Sequence, residues 1–586
     1  MLLRVLKKFN RLLTRHQKIR VIELGVLMVI GGFLEMLSVS VMLPLMNAIM
    51  NPEEAMGKWY SQIVCNIFRI TDPKDFMVFI CVAFAILYIV KNVYLILEER
   101  VQNRFVYNNL YSVKNRLLHN YLFRPYEYFL NVRSSDVIRV INNDTELTFR
   151  MLSTILQLFT ELVVSIAVSS MIFFISPLIT SFVAVVLIIL VLLIVLVLKP
   201  IMNKAGKNSQ KSRSEMNKWL LQSIQGIREL KVMQKEEYFE NKFHDNGRRL
   251  TNTLLANQFY SNVPRMLLES ISMSSIFIMI AFMIRGGEDL SGMIPALTAI
   301  AMAAIRLLPS ANRISSAMAS VSYSEPMLDK CLENMKGVRE EERRVKSEAA
   351  KEDHIINGLN SQFELKNITY RYPEGSSEVL QNAGMIVKKG EVIGIAGPSG
   401  AGKSTTVDIL LGLLKPQEGD VLVDGVSISK DPKGWLSQIG YIPQTIFLLD
   451  GTIRSNVAFG ISEKNVSDEE VYRALEEASM LEFVKSLPDG IDTQIGERGI
   501  RLSGGQRQRI GIARALYLNP EVLIMDEATS ALDNATEQEI MDSIHNLQGK
   551  KTIVIIAHRL STLDFCDRIY TVDKGQITDG SGNANS

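Results

Sequence analysis

Eight consecutive residues, Gly397, Pro398, Ser399, Gly400, Ala401, Gly402, Lys403 and Ser404, have the types and spacing of a phosphate cradle. Their context predicts a β-strand over 391–396 and a helix from Thr405 to Leu414. Glycines there let backbone N–H groups turn inward around phosphate oxygens, and the helix N-terminus adds its dipole. Lys403 would neutralise the β- and γ-phosphates, and the Ser404 hydroxyl would bind Mg²⁺. Farther along, the apolar run Val522-Leu-Ile-Met ends in Asp526 and Glu527. A buried parallel strand delivers its functional groups at its carboxyl end, so Asp526 is placed to support Mg²⁺ and Glu527 to polarise an attacking water. Alone, such a pair is only a capped strand; beside a phosphate cradle it has work to do.

Between these two stretches stands Leu502-Ser503-Gly504-Gly505-Gln506, before a helical pattern over 507–518. Read locally it is a serine N-cap. Ser503 and the bare backbone of Gly504 and Gly505 at a helix N-terminus also suit a second anion site.

The elements that must position this chemistry fall into two unlike halves. At 586 residues the chain exceeds one hydrophobic core. Its averages of 47% hydrophobic and 22% charged residues hide long apolar runs before Ser310 and turn-rich mixed sequence after Gln362. Leu162 to Leu198 carries no charge and, at about 1.5 Å per residue, is too long for one crossing of a roughly 30 Å hydrocarbon layer. Ser176-Pro177 predicts the turn of a helical hairpin. Similar runs at Val21–Met50, Phe76–Leu97, Val263–Ile284 and Leu290–Leu308 bring the expected spans to six.

Arg4, Lys7, Lys8, Arg11, Arg15, Lys18 and Arg20 place the N-terminal segment in the cytoplasm, along with the basic connections Glu98–Arg150 and Lys199–Asn262. The second to sixth spans are expected to continue as helices into the cytosol. Asn51–Arg69 is read either as a helix lying flat at the outer interface or as an ordered loop. A net charge of +2 with no basic stripe excludes a nucleic-acid partner. Cys65, Cys81, Cys331 and Cys566 lack metal-ligand spacing and are read as unpaired.

The ordered set of Gly397 to Ser404, Gln444 in Tyr-Ile-Pro-Gln, Leu502 to Gln506, Val522 to Glu527, Ser530-Ala-Leu-Asp533 and Ala557-His558-Arg559 resembles the ATP-binding cassette of ABC transporters over Phe363–Ile577. The resemblance implies a head-to-tail dimer holding ATP between the phosphate loop of one copy and Ser503–Gln506 of the other. It implies that Tyr372 stacks on adenine and that Gln444 senses the γ-phosphate, joins Ser404 and Asp526 at Mg²⁺, and contacts the membrane half. It further implies that Asp533 crosses the interface, that His558 holds the γ-phosphate and water, and that Glu527 is the base. Glu497 resembles an exporter-specific segment, and the segments Arg124–Phe129 and Glu229–Phe239 are the expected contacts of the membrane helices with the cassettes.

The architecture so implied is an α-helical membrane domain of exporter type followed by an α/β P-loop ATPase domain. Its expected bounds are 1–320 for the membrane domain, 321–361 for a linker, 362–580 for the cassette and 581–586 for a polar tail. With one phosphate loop and one signature turn, the chain is read as a half-transporter, a homodimer in a bacterial inner membrane with cytoplasmic cassettes.

Val263-Pro-Arg265-Met-Leu-Leu-Glu269, Arg306-Leu-Leu-Pro-Ser-Ala-Asn-Arg313, Pro200–Gly206 and Glu35–Pro44 are similar to bacterial ABC flippases for lipid-linked oligosaccharides. Lys91, Arg265 and Arg306 lie in or beside apolar spans, where a central cation costs roughly 2.5–3.5 kcal/mol. They are expected to receive the pyrophosphate of a polyprenyl-linked glycan, unless they pair with Glu35, Glu161 or Glu269. A multidrug or lipid exporter is the alternative; an ATP-gated channel or regulator is disfavoured by the intact Glu527.

Overall fold

The computed structural model describes residues 2–40, 56–57, 59–68, 70, 72–175, 177–285, 294–336, 355–373, 375, 377–527, 534–557, 563–564 and 566–580. They form two compact units, Met1–Arg124 with Asn131–Arg344, and Pro125–Leu130 with Val345–Ser586.

The first unit is helical. Helices α1 (Leu2–Leu12), α2 (Arg15–Ser40) and α3 (Trp59–Phe68) precede the long α4 (Pro73–Leu122). Asp72 caps α4 by accepting from the Lys74 N–H, and Pro73 starts it, where its missing N–H costs nothing. After the short α5 (Tyr126–Leu130), which belongs to the second unit, come α6 (Ser134–Arg139), a π-turn over Val140–Asp144 and α7 (Thr145–Ile175). Then follow α8 (Pro177–Gln225), α9 (Ile227–Met233), α10 (Glu236–Arg285) and α11 (Ile294–Asn334).

The expected hairpin is present: α7 stops at Ile175 and α8 begins at Pro177. Among the described residues five helices are long and apolar enough to span a bilayer. The sixth run, Leu290–Leu308, overlaps α11; its residues 290–293, and the side chains of 294–306, lie outside the described residues. In α4 only 11% of the most apolar window is buried inside the protein, so the rest needs an apolar solvent, which a bilayer supplies. The chain is a multi-pass membrane protein. Part of Asn51–Arg69 is helical, as α3. The last helix runs to Asn334, well into the stretch expected as linker, because Met327, Leu328 and Cys331 are buried core residues that hold its end.

A polar knot joins α6, the π-turn and α8. Asp144 takes bonds from Arg139 and from Gln210 Nε2 at 2.9 Å, while Asp136 accepts from Ser214 Oγ at 2.6 Å. Removing either partner of such a buried ion pair would leave an uncompensated charge, which is strongly destabilising.

The second unit has two sheets. One is antiparallel, in the order β2 (Leu380–Lys388), β1 (Gln362–Tyr370), β4 (Glu418–Val423), β5 (Val426–Ser427). The other contains β3 (Val392–Ala396), β6 (Ile439–Ile442), β7 (Val522–Asp526), β8 (Thr552–Ile556), β9 (Arg568–Asp573) and β10 (Gln576–Asp579). Its order is β10-β9-β3-β8-β7-β6, and only β10 runs antiparallel to its neighbour.

Along the central strands, side chains alternate between two cores, as a period of two requires. Val392, Leu523, Met525, Ile553 and Ile555 face one core, together with Ile510, Ile512 and Leu516 of a helix over Gly504–Leu516. Ile393, Ile395, Ile524 and Ile556 face the other, with Val407, Ile409 and Leu410 of the helix Lys403–Leu410 and the antiparallel sheet. In chain order the helices of this unit are α12 (Lys403–Leu410), α13 (Pro432–Ser437), α14 (Ile453–Val457), α15 (Asp468–Glu477), α16 (Leu481–Ser486), α17 (Gly504–Leu516) and α18 (Asn534–His545). The four cysteines carry no disulfide.

Candidate functional site

Strands β3, β7 and β6 run parallel and release their following residues at one edge of the sheet, where ligands of open α/β sheets bind. After β3 the loop turns through left-handed backbone at Gly397 (φ 145°), Gly400 (φ 80°) and Gly402 (φ 113°). A Cβ at Gly397 would overlap the Val572 carbonyl, so this position tolerates no side chain. Pro398, Ser399 and Ala401 complete the turn, and α12 begins at Lys403. Lys403 is 5% exposed and donates its Nζ to the carbonyls of Gly397 (2.9 Å) and Pro398 (3.0 Å). Its charge is thereby held over the loop whose phosphate it is expected to meet. Ser404 is exposed on the first turn of α12, and Thr405 is buried behind it.

Tyr372 joins the loop from the end of β1. Its hydroxyl lies 3.1 Å from Thr405 Oγ1, and its ring stands edge-on to Tyr370 with centroids 5.1 Å apart. The Tyr370 hydroxyl reaches Glu127 of α5 at 3.5 Å, within the second unit. Asp526 ends β7 opposite Ile556, and Glu527 follows with a left-handed backbone (φ 47°). Gln444, just past β6, donates Nε2 to Glu527 Oε2 at 2.6 Å. The structure therefore brings together the loop, Tyr372, Asp526, Glu527 and Gln444.

Asp408, one turn along α12 from Ser404, was not foreseen. Burial and the neighbouring Asp526 carboxylate push its acid up to about 6. The same two carboxylates and burial raise the Tyr441 phenol. No sequence pattern announces this pairing, because it depends on the register of a helix against a strand.

Ser503 caps α17: its side chain accepts from the Gln506 N–H at 3.2 Å, and Gln506 Oε1 accepts from the Ser503 N–H at 2.9 Å. The capping box leaves Ser503 and Gly504 exposed. Because α17 and α12 cover opposite faces of one sheet, the signature turn of a chain does not close over its own phosphate loop. Glu497 is exposed in a 3-10 turn, Glu497–Gly499. Asp533, His558 and the side chain of Arg306 lie outside the described residues.

The membrane cations separate. Lys91 is buried, with Nζ 3.5 Å from Glu35 Oε2, 3.4 Å from Ser38 Oγ and 4.6 Å from the Tyr88 ring centre. Arg265 instead lines a cavity of about 600 Å³ with Glu269, Met273, Asn312 and Arg313. Arg313 is ion-paired to Glu161 at 2.9 Å, and Ser310 bonds the same carboxylate at 2.8 Å. Sequence reading missed Arg313 as a cavity residue; its place two turns beyond Arg306 on the same apolar helix is the signal that could have found it.

Residues 21–302 match the family described as ABC transporter transmembrane region, and residues 380–530 match the family ABC transporter. An uncharacterized ABC transporter ATP-binding protein YwjA of Bacillus subtilis is 41% identical over 38% of this chain, which spans only 38% of that relative's length. A multidrug resistance ABC transporter ATP-binding and permease protein of Lactococcus lactis is 29% identical over 81% of this chain and 79% of its own. An ATP-dependent lipid A-core flippase of Methylobacillus flagellatus is 29% identical over 66% of this chain and 64% of its own. A bacterial Atm1-family ABC exporter solved with ATP bound has the same fold, with a TM-score of 0.73 at 22% identity over 96% of this chain and 94% of that one. The chain belongs to the ABC transporters: it is an exporter-type half-transporter whose ATP-binding cassette hydrolyses ATP in a process coupled to transport.

Proposed function

We propose that two copies of this chain form an ATP-driven flippase for a lipid-linked oligosaccharide or a similar polyprenyl-pyrophosphate glycolipid. The observation that carries the reading is the cavity of about 600 Å³ set among apolar helices, whose wall places two guanidiniums, Arg265 and Arg313, with Asn312 against a single carboxylate, Glu269. Guanidinium groups suit a diphosphate because they bind its oxygens in pairs. Arg306 lies on the same helix as Arg313 and is included; Lys91, paired with Glu35, is not on this cavity's lining.

In this proposal the dimer is inner-membrane and its cassettes cytoplasmic. The tip around α9 supports a second copy: Val232 is 78% and Met233 67% exposed, an apolar surface that needs a cover. ATP binds with adenine on Tyr372 and phosphates in the loop 397–404, facing Ser503–Gln506 of the other copy. Asp533 crosses between the copies. Ser404, Gln444 and Asp526 offer hard oxygen donors, a set that fits Mg²⁺ held mainly by nucleotide phosphates. The ion, when bound, neutralises charge on the β- and γ-phosphates. Glu527 orients and polarises the water, His558 holds the γ-phosphate, and Gln444 senses it. Opening and closing of the cassette pair then moves the head group through the cavity.

The names of the Lactococcus and Methylobacillus relatives favour a second reading, an exporter of hydrophobic drugs or of lipid A. Reconstitution into vesicles with lipid-linked glycan, read out leaflet by leaflet, separates them. ATP-dependent glycan movement, lost in the R265Q/R306Q/R313Q variant, is the expected result. Stimulation of hydrolysis by apolar amines with no glycan movement would favour the second reading.

A further inference from the structure

A cavity of about 400 Å³ opens between the start of α2 and the middle of α4, away from Arg265. Its polar rim is Arg20, Glu23, Arg104 and Asn108, all exposed. Leu24, Leu27, Val101 and Phe105 form an apolar wall. Arg20 is the last residue of the basic N-terminal segment and Val21 opens the apolar run, while on α4 the apolar run closes at Leu97. The cavity thus straddles the boundary between hydrocarbon and head groups on the side of the basic segment. Among the described residues neither Arg20 nor Arg104 has an ion-pair partner.

Beside this cleft, though not on its lining, α4 carries two buried polar atoms without a partner. Glu98 and Gln102 are each 7% exposed, and neither Glu98 Oε2 nor Gln102 Nε2 has a hydrogen-bond partner. Glu98 packs so closely on α2 that a Cβ at Gly31 would overlap its Oε2. Buried atoms of this kind are costly until something bonds them. The cleft therefore presents donors in its two guanidiniums and the Asn108 amide, an acceptor in Glu23, and an apolar wall beside them. That is the complement of one molecule bearing a phosphate, a primary ammonium and an acyl chain.

We infer that this cleft binds a phospholipid with an ethanolamine head group from the leaflet facing the basic segment. The phosphate sits between Arg20 and Arg104, the ammonium turns to the Glu23 carboxylate, and an acyl chain follows Leu24, Leu27 and Phe105. A choline head group lacks the N–H donors, and a glycerol head group lacks the positive charge.

The test is native mass spectrometry of the full-length protein released from bilayers of dioleoyl phosphatidylethanolamine, phosphatidylcholine or phosphatidylglycerol. Ethanolamine lipid should be retained about tenfold more than either other lipid, and R20Q/R104Q should lower that retention by about tenfold, the effect of losing charge-assisted bonds. Equal retention of the three lipids, or unchanged retention in the variant, overturns the inference. A photoreactive phosphatidylethanolamine on the unaltered protein provides a check that does not depend on how the variant folds. Label on peptides holding 20–27 or 101–108 supports the site, and label confined to other helices rejects it.

Discussion

At Glu527 the backbone enters the left-handed region, with φ 47°, directly after an extended strand whose first four residues are buried. A non-glycine residue persists there only when its surroundings hold it, and here the Gln444 amide and the Ile556 carbonyl do so, the latter accepting from the Glu527 N–H at 3.1 Å. Replacing Glu527 by Gln keeps the shape and removes the base. Hydrolysis should fall by about 10²–10⁴-fold while ATP stays bound, measured as single-turnover phosphate release and retained nucleotide; near-normal turnover would move the base elsewhere. Asp408 makes a separate prediction. Its acid is pushed up to about 6 by burial and by Asp526, so the stability its protonation gives is full below the ordinary carboxylate range and is lost as pH climbs through about 6. At neutral pH its charge is a cost, of about 1 kcal/mol once solvent screening is allowed for. Asp408→Asn should raise the unfolding temperature of the nucleotide-free cassette by about 2–4 °C at pH 7.5 and give no gain at pH 4, read by calorimetry.

Elements explain why some of this was legible in the sequence and some was not. Phosphate loop, Asp526–Glu527 pair and Ser503 cap were readable because each is a local pattern with its own strand or helix, and the sheet then brings the ends of β3, β6 and β7 to one edge. The Lys91–Glu35 pair, the arrival of Arg313 beside Arg265 and the contact of Glu127 with Tyr370 depend on how separate helices are rotated and staggered, which spacing along one helix does not determine. Gly206 illustrates the same point. In the sequence it is one glycine in a helical pattern, and helix propensity alone would favour alanine by about 1 kcal/mol. In the structure its missing side chain lets α8 approach α11, and a Cβ would overlap the Tyr323 carbonyl oxygen. Overpacking against a backbone atom costs about 1–3 kcal/mol, so the sign reverses. Gly206→Ala should lower the unfolding temperature of the membrane unit in detergent, and an unchanged or raised temperature would show that α8 and α11 can part freely.

For the whole molecule, the two-faced sheet has the largest consequence. Odd and even residues of β3, β7 and β8 send α12 and its phosphate loop to one core and α17 and its signature turn to the other. No rotation of side chains brings Ser503 over the loop of its own chain; in the proposed dimer a second cassette turned head to tail would do so twice, once for each pocket. This geometry is testable by complementation. A Lys403→Ala chain spoils the loop and keeps the turn, while a Ser503→Arg chain keeps the loop and spoils the turn, so each alone should be inactive. Mixed equally, about half of the dimers contain one of each and have one intact pocket, and about a quarter of unaltered hydrolysis should return. No recovery in separated mixed dimers, or full hydrolysis by a strict monomer, would mean that the pocket is completed some other way. Recovery would locate ATP at the seam between copies, with each pocket built from the loop of one chain and the turn of the other.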